Sequence, residues 1–170
     1  QAWQALADSY GFAFDREVNH RLKGVDRRNS LRLILEHAGA EVEAERFDAM
    51  LAEKNDIYRE RLAAYSPANL FAGVGALFDG LRAAGLKIGL ASASRNAPDV
   101  VRLLGIADQF DFIADAGAVA NAKPAPDIYL EAAKRAKVRP EACLAIEDSK
   151  AGAAVKCAGR FSHCSAENTV

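Results

Sequence analysis

Leu86-Lys87-Ile88-Gly89-Leu90-Ala91-Ser92-Ala93-Ser94-Arg95-Asn96 is the stretch whose reading decides the fold. A short apolar run, Leu86 to Ala91, ends in hydroxyl and cationic residues and passes straight into an amphipathic segment, Ala97 to Leu104. A run of that length predicts a buried strand, and the segment behind it a helix. The same grammar repeats downstream. Phe110 to Ala114 reads as a second buried strand, Asp127 to Ala136 as helix, Ala142 to Ile146 as a third strand and Lys150 to Ala158 as helix. Upstream, Val74 to Ala84 is an amphipathic helix stopped by Gly85. Strands alternating with helices predict crossover connections and a parallel sheet covered on both faces.

Before Ser66-Pro67 the texture differs. Trp3, Leu6, Ala7 and Tyr10 keep a helical spacing that Gly11 ends. Asp26 is placed to cap a helix over Arg27 to Ala38, with Leu31, Ile34, Leu35 and Ala38 on its inner stripe and Gly39 closing it. Phe47, Met50, Leu51, Ile57, Tyr58, Leu62 and Tyr65 mark a longer helical stretch. The expected organisation is a helical-bundle cap over 1–66, a doubly wound (Rossmann-like) α/β core over 67–159, and an irregular tail over 160–170. The chain begins at Gln1 inside an apolar helical pattern, which suggests that a segment precedes it.

Composition narrows the function classes. Over 170 residues, 51% are hydrophobic and 26% charged, with a formal net charge of −1, an ordinary globular balance. Interspersed charges give no footprint for nucleic acid or an anionic membrane surface. Three scattered cysteines make neither a disulfide framework nor a zinc site. No apolar run is long enough to span a bilayer, and a reduced cytoplasmic location is the expectation.

In open α/β sheets ligands bind beyond the carboxyl ends of the strands. Ser92, Ala93, Ser94, Arg95 and Asn96 follow the first strand, Lys123-Pro124 lies after the second, and Glu147-Asp148 ends the third. A hydroxyl cluster, a lysine and a carboxylate pair thus converge on one edge, a combination suited to phosphate around a divalent metal. Ser92 can donate to a phosphoryl oxygen. Ser94, Arg95 and Asn96 open a helix, where free amides favour an anion. Lys123 is a point charge for an equatorial phosphoryl oxygen, and Glu147 and Asp148 are hard oxygen ligands for Mg²⁺. Singly these are a helix cap, a loop Lys-Pro and a dipole-complementing acid pair; together, on successive strand ends, they point to function. On the cap side, Arg27 stands at the positive end of its helix, and Lys54 sits mid-stripe among Phe47, Met50, Leu51, Ile57 and Tyr58. Both oddities disappear if that face receives an anion. Trp3 reads as core, and His20 and His37 as residues without catalytic partners.

These motifs resemble those of the haloacid dehalogenase superfamily, and the cap narrows the likeness to its sugar-phosphate mutases. Ser92, Lys123 and Glu147-Asp148 look like the superfamily's second, third and fourth motifs. Ala91-Ser92-Ala93-Ser94-Arg95-Asn96 carries Arg95 where lysine is expected. Leu22-Lys23-Gly24-Val25-Asp26-Arg27 looks like the substrate loop, and Lys54-Asn55-Asp56 like a second cap contact. The resemblance implies an enzyme that interconverts β-glucose 1-phosphate and glucose 6-phosphate. Catalysis would run through an aspartyl phosphate, with glucose 1,6-bisphosphate as activating intermediate, Mg²⁺ as cofactor and a monomeric complete protein. Ser92 and Lys123 would be catalytic, Glu147 and Asp148 metal ligands, and Lys23, Gly24, Val25, Arg27, Lys54 and Ser92 to Asn96 substrate contacts. The implied nucleophile and acid/base, an Asp-x-Asp pair on a first core strand, are absent, since no Asp-x-Asp-Gly occurs in the sequence. By the family's order that strand would precede Gln1 and lie centrally in the sheet, and the last core elements would follow Val170. The expectation is an incomplete, inactive chain. The alternatives are a cap-bearing sugar-phosphate phosphatase of the same superfamily and a non-catalytic phosphate-binding remnant.

Overall fold

A computed structural model describes residues 2–148, residue 152 and the backbone of 162–165. The chain divides into two compact units, Gln1–Tyr65 and Ser66–Val170.

The first unit is helical: α1 (Ala2–Tyr10), α2 (Arg16–Arg21), α3 (Arg27–Ala38) and α4 (Ala44–Leu62). Helix α3 has the expected bounds. The Asp26 carboxylate accepts from the Arg28 and Asn29 amides, and Gly39 ends the helix at φ 62°, a left-handed conformation that glycine adopts without a Cβ penalty. Leu31, Ile34 and Leu35 are buried. Leu31 and Leu35 pack with Leu6 and Met50, and Ile34 packs with Val18 and Leu22. Helix α2 has no apolar stripe in its Arg-Glu-Val-Asn-His-Arg sequence to announce it. It forms because Asp15 caps it, accepting from the Val18 amide, and because Val18 is fully buried. Asp15 also pairs with His37 at 3.2 Å, so this histidine has a structural partner.

The second unit alternates as expected: α5 (Val74–Ala83), β1 (Gly89–Ala91), α6 (Ala97–Leu103), β2 (Phe112–Ala114), α7 (Asp127–Ala136) and β3 (Leu144–Glu147), with β4 (Ser162–Ser165) beyond. The expected helix over 150–158 lies outside the described residues apart from Gly152. All observed pairing is parallel. Strand β1 pairs with β2 (Gly89 opposite Phe112, Ala91 opposite Ala114) and β3 with β4 (Leu144 opposite Ser162, Glu147 opposite Ser165). Among the described residues the two pairs share no ladder. Helix α7 packs on β1 and β2, burying Ile128 and Tyr129 against Ala114, with Ala91 and Ala145 alongside.

Strand β1 starts later than its apolar run. Its entrance is clasped by a loop residue instead, since the Ile88 amide donates to the Asp111 carboxylate (2.7 Å) and the Asp111 amide to the Ile88 carbonyl (2.8 Å). Two expectations are corrected. The tail over 160–170, read as irregular, contains β4. Strand pairing is made by main-chain groups, so a polar sequence does not forbid it where a neighbouring strand offers a free edge. Strand β3, read as buried, leaves Leu144 64% and Ile146 61% exposed; only the alternate residues, Ala145 and Glu147, turn inward.

Candidate active site

Ser92 to Asn96 lie beyond the carboxyl end of β1, Asp115 and Lys123 beyond β2, and Glu147 and Asp148 at the end of β3. Beyond β1, the Ser94 amide donates to Ser92 Oγ (3.1 Å) and the Asn96 amide to Ser94 Oγ (3.2 Å). Each hydroxyl oxygen is therefore used as an acceptor, and its hydrogen remains to be directed at an anion. Asn96 is buried, while Ser94 and Arg95 are exposed. A cleft of about 420 Å³ is lined by Ser94, Arg95, Pro98, Ile113, Ala114, Asp115 and Gly117. Asp115, which accepts from the Gly117 amide (2.8 Å), is the one acid of this cleft and was missed from sequence. The available signal was its position directly behind β2, where the strand-end rule already applied.

Lys123 precedes a cis peptide to Pro124. Its ammonium meets Glu147 Oε2 at 2.6 Å, with side-chain exposures of only 6% and 8%. The Tyr129 hydroxyl, from the first turn of α7, donates to the same oxygen, and the Lys123 ammonium lies 4.9 Å from the Tyr129 ring centre. Buried charges persist when paired and hydrogen-bonded, and this triad meets both conditions. Tyr129 was also missed, its helical position reading as plain core. Gly152 lies against the Glu147 carboxyl, with no room for a side chain. Asp148 is exposed at the strand end. As donors, Glu147 and Asp148 suit magnesium, which takes one or two carboxylates and completes its shell with water and phosphate. Among the described residues no group of three or more His, Cys, Asp or Glu gathers into a metal cluster.

In the first unit, Lys23, Gly24 and Val25 form the turn between α2 and α3, with the Val25 amide bonded to the Leu22 carbonyl (3.1 Å) and Gly24 at φ 75°. Arg27 donates to Asn55 Oδ1 at 2.6 Å. Lys54 places its ammonium 4.8 Å from the Trp3 ring and 4.7 Å from the Tyr58 ring. Burial, and after it the charge of Arg27, lowers its pKa to about 8. A cavity of about 390 Å³ opens here, lined by Trp3, Asn19, Lys54, Tyr58, Arg61 and Tyr65 among others. Trp3 is thus a cavity wall as well as core.

A parallel α/β unit with a serine, a lysine and an acidic pair at successive strand ends defines a phosphoryl-handling class. The model of the haloacid dehalogenase-like hydrolases matches residues 1–155, and the chain belongs to that family. It is 44% identical over 164 residues to the beta-phosphoglucomutase of Bacillus subtilis (strain 168), covering 94% of this chain and 72% of the relative. It is 30% identical over 162 residues to a phosphorylated carbohydrates phosphatase of Thermotoga maritima, with coverages of 94% and 73%. The crystal structure of beta-phosphoglucomutase (pgmB) from Clostridium difficile superposes with a TM-score of 0.93 at 37% identity, over 98% of this chain and 76% of that one. The motif resemblance and the α/β fold class stand on these likenesses.

Proposed function

We propose that this chain is the greater part of a sugar-phosphate mutase that interconverts β-glucose 1-phosphate and glucose 6-phosphate. The observation that carries the reading is the buried Lys123–Glu147 pair at the strand ends. A cation held there, out of water, is positioned for negative charge that develops on a transferring phosphoryl group. The higher identity to a mutase than to a phosphatase supports the finer assignment.

In this reading Lys123 neutralises an equatorial phosphoryl oxygen and Ser92 donates to another. The distal phosphate is gripped by Arg27, Ser94, Arg95 and Asn96, the sugar by Lys23, Gly24, Val25, Lys54 and the Ala93 backbone. Glu147 and Asp148 would hold Mg²⁺, which would supply neutralisation of phosphoryl charge. Nucleophile and acid/base are an Asp-x-Asp pair that the 170 residues do not contain, so the chain alone is expected to turn over no sugar phosphate. The expected partners are small sugar phosphates, with glucose 1,6-bisphosphate as intermediate, and the complete protein is expected to act as a cytoplasmic monomer. Among the described residues no helix is long and apolar enough to cross a membrane.

The test separates mutase from phosphatase in a chain extended by an Asp-x-Asp strand. Arg27→Ala should raise KM and lower kcat for the mutase reaction, because orientation is lost with affinity, while hydrolysis of a small phosphate ester falls much less. An equal fall in both would favour the phosphatase reading, to which the Thermotoga relative lends support.

A further inference from the structure

We propose that Lys54 is a nucleophilic amine that captures phosphorylated aldehydes as imines, making the cavity of the first unit a covalent modification site. The proposal goes beyond the phosphoryl-transfer reading, which uses Lys54 and Arg27 as sugar and phosphate contacts, and its test reads imine formation rather than turnover.

Lysine amines are ordinarily surrounded by water or carboxylates, which keep them protonated. Lys54 has a different setting. Its nitrogen lies between the faces of Trp3 and Tyr58, and the charged neighbours are cations: Arg27, close enough to depress its protonation, and Arg61, on the same cavity wall. Nearby acids are engaged elsewhere, Glu53 with the Tyr10 hydroxyl (2.8 Å) and Asp48 with Arg28 (2.7 Å). Among the described residues no carboxylate pairs with Lys54. Tyr58, whose hydroxyl burial pushes upward in pKa, stays neutral and adds no anion. The ring faces favour the ammonium to some extent, whereas lost hydration, and after it the neighbouring Arg27 guanidinium, lower the pKa to about 8. Desolvation beside a second cation is the arrangement that activates a lysine toward carbonyl groups.

The chemistry needs no further reagent. The neutral Nζ forms a bond to the aldehyde carbon while the C=O π pair moves to oxygen. Oxygen takes a proton, nitrogen loses one, and expulsion of water leaves the imine. The open cavity, about 390 Å³, admits a small aldehyde, and the Arg61 guanidinium on its wall favours one that carries a phosphate.

At neutral pH an amine of pKa about 8 is neutral in roughly one molecule in ten, an ordinary lysine in about one in 2,500. Even after allowing for the lower intrinsic basicity, Lys54 should react at least about tenfold faster than any other lysine. The test treats the 170-residue chain with limiting pyridoxal 5′-phosphate, traps the imine with borohydride and maps the labelled peptides by mass spectrometry across a pH series. Lys54 should be labelled first, its rate levelling off above about pH 8, and Lys54→Arg should remove that label. Arg27→Gln should move the levelling to higher pH. Label spread evenly over the lysines, or a Lys54 rate still climbing toward the ordinary lysine pKa of about 10.4, would overturn the proposal. Pyridoxal without its phosphate should label Lys54 several-fold more slowly. Equal rates would overturn the phosphorylated class of ligand.

Discussion

Replacing Lys123 by methionine removes one charge from a pair that is almost wholly out of water, 6% and 8% exposed and 2.6 Å apart. The carboxylate of Glu147 keeps the Tyr129 hydroxyl but loses the Lys123 ammonium. Breaking a buried pair from one side costs about 3–5 kcal/mol. Against a domain stability of about 5–15 kcal/mol that is a large loss. Replacing both partners, as in Lys123→Met with Glu147→Leu, exchanges the pair for apolar volume and should bring the second unit back to within about 1 kcal/mol of the parent. The two units can be read separately. The single tryptophan, Trp3, reports the first, so its fluorescence transition in urea should stay where it was. Amide exchange in α7 and β2 reports the second and should accelerate by two to three powers of ten, the equivalent of about 3–4 kcal/mol. A Lys123→Met variant less than about 1 kcal/mol weaker, or single substitutions whose effects add in the double variant, would refute the idea that the pair is one energetic unit.

Gly89 stands opposite Phe112, and a Cβ there would fall within 3.0 Å of three ring carbons. Gly89→Ala should therefore cost about 1–3 kcal/mol by overpacking, and Phe112→Leu in the same chain should restore part of it; thermal melting followed by circular dichroism checks both. In the first unit the Asp15 carboxyl is held below its ordinary pKa, chiefly by the Val18 amide and then by His37, against an opposing effect of burial. A depressed carboxyl stabilises the fold above its unfolded value of 3.8 and loses that contribution as pH falls through the folded value. Asp15→Asn keeps the cap but cannot titrate, so the tryptophan-monitored stability of this variant should fall less steeply below about pH 4; an unchanged acid slope would contradict the assignment.

The parts of this fold that were legible from sequence are those fixed by local rules. Asp26 and Gly39 bound α3 because a cap and a left-handed terminator act within one helical turn. Ser92, Lys123 and Glu147 were picked out because strand ends can be located from apolar runs, and their convergence on one sheet edge was expected. The direct pairing was not legible: Lys123 and Glu147 join across a separation of 24 residues, with Tyr129 as a third member. Such contacts depend on how α7 packs, which no short-range pattern encodes. Helix α2 escaped notice because a cap and one buried valine suffice for six residues. Strand β4 did so because its pairing rests on backbone groups common to every sequence. Exposed Leu144 and Ile146 mark the converse case, an apolar run that implied more cover than β3 receives.

The double clasp between Ile88 and Asp111 bears on the accuracy of the site. Strands β1 and β2 are three residues long, so few side chains contribute to fixing their alignment. Asp111 works as an index mark, since its carboxylate and its own amide both engage Ile88, and a one-residue slip would break both bonds at once. The same slip would turn Ala114 out of the core and shift Ser92 by one strand step, about 3.3 Å, more than the length of a hydrogen bond. An acid outside every candidate site motif thus helps to hold the register on which the position of Ser92 depends.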